Sequence, residues 1–127
     1  MSKCVFPPEV IAGLNAEIMS LMQDLQGYMR ERQEADFQGL EVSDRMTMLK
    51  ARSALTLQIT SMAAWGLYQA ALLAEDDIPQ GLTPDDVPDA LASLGDAALP
   101  PLPEAFRNLL GRSDGLFHKV RSLQAAA

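Results

Sequence analysis

Ser53-Ala-Leu-Thr-Leu-Gln-Ile-Thr-Ser-Met-Ala-Ala-Trp-Gly-Leu-Tyr-Gln-Ala-Ala-Leu-Leu-Ala74 carries no charged residue. Large apolar residues fall on nearly all sides of a helix drawn through it, among them Leu55, Leu57, Ile59, Met62, Trp65, Leu67 and Leu72. Small residues such as Ala63, Ala64 and Gly66 are interleaved. A helix apolar all round must be covered on several sides. Ser43 and Asp44 form a start signal, the first as a cap and the second near the positive end of the helix dipole. A helix is therefore expected over about 44–74. Its uncharged part is long enough to cross a bilayer. Arg45, Lys50 and Arg52 before it and Glu75, Asp76 and Asp77 after it suit a positive-inside orientation. Thr56, Gln58, Thr60, Ser61, Tyr68 and Gln69 argue instead for a core helix covered by protein, which is the reading adopted.

Covering that helix requires partners, and the flanking sequence supplies two. Pro7 and Pro8 suit a first helical turn. From there Ile11, Leu14, Ile18, Leu21, Leu25 and Tyr28 recur at alternating steps of three and four, an apolar seam. A helix over about 8–35 follows, with Gly39 as the stop or turn. Near the other end, Pro103 and Glu104 open a helix over about 103–124. Its stripe is Phe106, Leu109, Leu110, Ser113, Leu116, Phe117, Val120 and Leu123. Between them lies an acidic connection over about 75–101, broken by Pro79, Gly81, Pro84 and Pro88, with room for a short helix over about 88–94. The fold class expected is all-α, an antiparallel three-helix bundle forming one domain over 1–127. Two partner helices do not cover the middle one completely, so a twofold homodimer is expected.

The 127 residues suffice for one core. Few aromatics, at 6%, and few β-branched residues favour helix over sheet. The net charge of −7 argues against nucleic acid, which needs clustered bases. Seven acids and no bases lie between Glu75 and Asp96, and the remaining ten acids equal the ten bases. Cys4 is the one cysteine, so no disulfide framework is expected. Met1 to Pro8 lacks a basic region followed by an apolar run, so no secretory signal is expected and the cytoplasm is the expected location. His118, the one histidine, has no metal-binding set around it and lies on a different helix face from Ser113. Phosphate loops, nucleophile elbows and zinc-protease motifs are absent. The chain is expected to be non-enzymatic, with no catalytic residues, cofactor or metal. Candidate surface residues are Met19, Met22, Met29, Trp65 and Tyr68, because methionine adapts to partners and aromatics anchor interfaces. Asp76, Asp77, Asp85 and Asp86 are candidates to face a basic patch on a partner. A different reading makes the chain a ligand-binding helical protein with a pocket lined by Trp65, Tyr68 and Phe106.

Two segments resemble the bacterial RcdA-like family, named for the regulator of CtrA degradation. In the family's central helix a Ser, a Leu-Thr step, small residues, Trp-x-Leu and Gln-x-Ala follow one another. Here Ser53, Leu55-Thr56, Ala63-Ala64, Trp65-Gly66-Leu67 and Gln69-Ala70-Ala71 keep that order. The stretch from Leu102-Pro103 through Ser113 and Leu116 to Val120-Arg121 and Leu123 is similar to the family's closing helix. The resemblance implies a dimerising three-helix bundle. It also implies an adaptor or scaffold that helps deliver a regulatory cargo to the ClpXP protease in bacterial cell-cycle control.

Overall fold

A computed structural model describes residues 6–74, 87, 89–94 and 102–126. Their regular structure is helical throughout: α1 (Pro8–Glu31), α2 (Gln33–Gln38), α3 (Val42–Ala74), a 3-10 turn (Ala90–Leu94) and α4 (Glu104–Ala126). The chain is all-α over the described residues. Three long helices pack on one another, and α3, at 33 residues, spans ~50 Å at 1.5 Å per residue.

Pro8 stands in the first turn of α1, where a missing N–H costs nothing. The seam Ile11, Leu14, Ile18, Leu21, Leu25 and Tyr28 is buried along its whole length. The unbroken helix expected to residue 35 is instead divided at Arg32, whose φ of −126° leaves the helical range. Across the break the Tyr28 hydroxyl donates to Asp36 Oδ2 at 2.7 Å. α3 then begins at Val42, ahead of the expected Ser43 cap, with Arg45 N–H bonding Glu41 O. Arg45 secures this corner. Its guanidinium donates to the carbonyls of Phe37, Leu40 and Gln38 at 3.1, 3.0 and 3.1 Å and stacks over the Phe37 ring. The planar fork satisfies carbonyls that the end of α2 leaves without helical partners.

Cross-helix contacts fix directions. Asn15 Nδ2 donates to Gly66 O at 3.2 Å, and the short corner makes α1 and α3 antiparallel. Glu17 meets Lys119 and Asp24 meets Arg112, so α1 and α4 are antiparallel too. α3 and α4 therefore run parallel, where an antiparallel bundle with helices alternating in chain order would set them antiparallel. α4 thus starts at the end of the molecule opposite the end of α3, and residues 75–103 join the two. Val87 and Leu102 are buried, and the 3-10 turn packs on α3. That separation is the physical reason for so long a link.

At Gly66 the backbone of α3 lies directly against the Asn15 side chain of α1. A Cβ there would collide with Asn15 Oδ1, so the side-chain amide of Asn15 fills the space beside a bare backbone.

Burial and the Asp36 carboxylate push the Tyr28 phenol above its ordinary pKa of 10.0. Below pH 10 both folded and unfolded chains hold this proton. Above it the unfolded chain releases the proton first, so stability falls as pH rises. Urea unfolding at pH 8, 10 and 11 is expected to show that fall, approaching ~1.4 kcal/mol per pH unit. Tyr28→Phe should flatten it. Equal slopes for both chains would rule out the linkage.

Candidate functional site

α3 has two faces of opposite exposure. Met48, Ala51, Leu55, Gln58, Ile59, Met62, Trp65 and Gly66 turn inward and are buried. On the opposite face Val42, Met46, Leu49, Leu57 and Leu67 are 74, 55, 36, 53 and 58% exposed. These five lie within one stripe at helical spacing, and Ser53, Thr60 and Ala64 fill its gaps. Leaving that many large apolar side chains in water is costly, and a contiguous apolar stripe marks a contact surface. No ionisable group interrupts it from residue 53 onward.

The five candidate surface residues divide. Met19 and Met29 are exposed at 49 and 39%, and Met22 is half-buried against the core. Met19 and Met22 share with Asn15 the flank of α1 that faces α3. Trp65 and Tyr68 are 3 and 8% exposed, turned inward by the phase of α3, and contribute nothing to that outer surface. The exposed residues that composition did not single out are Val42, Met46, Leu49, Leu57 and Leu67. Their signal was present as a three-four spacing around the helix, masked by equally apolar residues on the inner face. Asp76, Asp77, Asp85 and Asp86 lie outside the described residues, as does Cys4.

The pocket expected between Trp65, Tyr68 and Phe106 is not formed. Trp65 packs against Phe6 at the start of α1, with ring centroids 5.8 Å apart. Phe106 packs against Tyr28 near the end of α1, at 5.7 Å. The parallel course of α3 and α4 separates them by most of a helix length. The concave surface lies elsewhere, along α1 and α4. A groove of about 630 Å³ is lined by Val10, Gly13, Leu14, Gly115, His118 and Leu123, among others. The Lys119–Glu17 pair at 3.1 Å bounds it, and Arg112–Asp24 at 2.6 Å crosses the same seam farther along. Both pairs are exposed, each contributing ~0–1 kcal/mol.

Ser113 and His118 do not meet. The Ser113 hydroxyl is buried and donates to Gln58 Oε1 at 2.6 Å. His118 is exposed, with Nδ1 2.8 Å from the Asp114 carbonyl oxygen. Among the described residues no three His, Cys, Asp or Glu side chains converge as a metal set would. The membrane-spanning reading of residues 53–74 is corrected as well. Among the described residues no helix is long and apolar enough to cross a membrane, because polar residues such as Gln58 and Gln69 sit within that stretch and are buried among protein. Comparison with family models, with curated proteins and with solved structures finds no match for the chain.

Proposed function

We propose that this chain is a non-enzymatic protein-interaction module: a three-helix bundle that pairs with a second copy and serves as an adaptor or scaffold for other proteins. The observation that carries the reading is the outer face of α3, five large apolar side chains held in water on a rigid helix. Burying such a face against protein returns ~25 cal/mol for each Å² removed from water. The resemblance supplies the biological setting, delivery of a regulatory cargo to the ClpXP protease in the bacterial cytoplasm. With the α3 face taken up by pairing, cargo would meet the remaining surface, including the groove between α1 and α4. Its two sides carry Glu9 and Glu17 against His118 and Lys119, a mixed-charge rim that favours a protein segment over a nucleic acid.

Affinity purification from bacterial cytoplasm, followed by mass spectrometry, tests the adaptor reading. Retention of protease components together with a regulatory protein is expected. A lysate in which neither is specifically retained ends that reading, whatever the oligomeric state.

A further inference from the structure

We infer that α3 pairs with α3 of a second copy in antiparallel order, with the twofold axis passing between Ser53 and Leu57 of the exposed stripe. The inference rests on the pairing proposed above and specifies its geometry from the distribution of size and charge along the exposed stripe.

Laying two copies of the stripe head to tail about that axis sets every large side chain against a smaller or complementary one. Met46 meets Ala64 of the other copy, Leu49 meets Thr60, and Leu57 meets Ser53. Val42 and Leu67 close the two ends against each other, and these are the two most exposed large apolar residues of the stripe. Large-into-small matching lets two helices interdigitate without voids. Parallel pairing cannot do this. It would set Met46 against Met46 and Ala64 against Ala64, crowding one level and leaving another empty.

Charge selects the same order. Lys50 and Arg52, the basic residues of α3 not taken up by the α2 corner, lie in its first half, and the second half has no ionisable side chain except tyrosine. In antiparallel order each basic residue faces the uncharged half of the other helix. In parallel order each would face its own copy, and like charges brought together are destabilising. The two helix dipoles also oppose one another only when antiparallel.

The test uses the full chain in a Cys4→Ser background, which removes the one native thiol. Sedimentation over a range of concentrations comes first. A monomer at every concentration overturns the pairing itself and assigns the α3 face to a different protein. For a dimer, Met46→Cys and Ala64→Cys chains carrying different mass tags are mixed and gently oxidised. Antiparallel order predicts that the mixed Met46–Ala64 disulfide exceeds either self-disulfide several-fold. Ser53→Cys mixed with Leu57→Cys repeats the measurement near the axis with independent variants. Predominant self-disulfides at these positions would establish parallel order and overturn the inference. A dimer that cross-links at neither pair overturns it too, because its interface then lies elsewhere. Leu57→Asp, a surface change, should yield a monomer with an unchanged helical circular dichroism spectrum, and a persistent dimer would count against the α3 face.

Discussion

Phe106→Ala is expected to cost ~3–5 kcal/mol of folding stability, the range for truncating a fully buried aromatic. Phe106 is 0% exposed. It stands in the first turn of α4, with its ring 5.7 Å from that of Tyr28. It therefore joins the start of one helix to the end of another, at the end of the molecule where the long connection returns. Removing the ring forfeits its transfer free energy and leaves a void bounded by rigid helices that cannot close around it. The expected drop in melting temperature is ~10–20 °C for a domain of this size. Phe106→Leu keeps most of the volume and should cost less than half as much. Urea denaturation of the three chains measures this directly. An alanine variant within 1 °C of wild type would mean that α4 is not docked through Phe106.

How far the fold was legible depended on whether a helix had one apolar side. In α1 the steps of three and four from Ile11 to Tyr28 pick out the buried seam, because most of the remaining circumference is polar or small, with Val10 and the methionines as the large apolar exceptions. In α4 the stripe from Phe106 to Val120 is buried for the same reason, and Leu123 is half-buried at its end. In α3 the pattern is silent. Leu55 and Leu57 are equally apolar, yet one is fully buried and the other 53% exposed. Only the positions of α1 and α4 decide which points inward, so Trp65 and Tyr68 stand out as surface candidates and Met46 does not. The break at Arg32 has no proline or glycine to announce it, and the Tyr28–Asp36 hydrogen bond that spans it joins residues eight apart. The parallel course of α3 and α4 was hidden as well. A connection as long as residues 75–103 can end at either end of the molecule for nearly the same closure entropy. The candidate contact face was thus present in the sequence as composition, and its location is a property of packing.

Replacing Ser113 by alanine is expected to cost ~1–3 kcal/mol, more than its few lost atoms suggest, because it strands a buried amide. Gln58 and Ser113 are both 0% exposed, and their mutual hydrogen bond is 2.6 Å long. Gln58 Nε2 has no hydrogen-bond partner among the described residues, so the pair is only half satisfied already. Gln58→Leu removes that liability. It leaves a serine hydroxyl that can bond back to a carbonyl one turn earlier in its own helix, so it should be neutral or stabilising. The double variant should then lie close to Gln58→Leu alone, giving a coupling of ~0.5–3 kcal/mol between two sites in contact. Strict additivity of the two single changes would show that the hydrogen bond contributes nothing. The expected combination, a polar pair whose joint removal costs little, poses the question of what the pair supplies. Parallel helices with apolar seams can slide by one turn and still bury leucine against leucine. A single hydrogen-bonded pair in the core penalises every register except one. The double variant should therefore keep its denaturation midpoint while losing uniqueness, seen as broadened amide resonances and increased binding of a hydrophobic dye. Sharp resonances in that variant would mean that side-chain packing alone sets the register of α3 on α4.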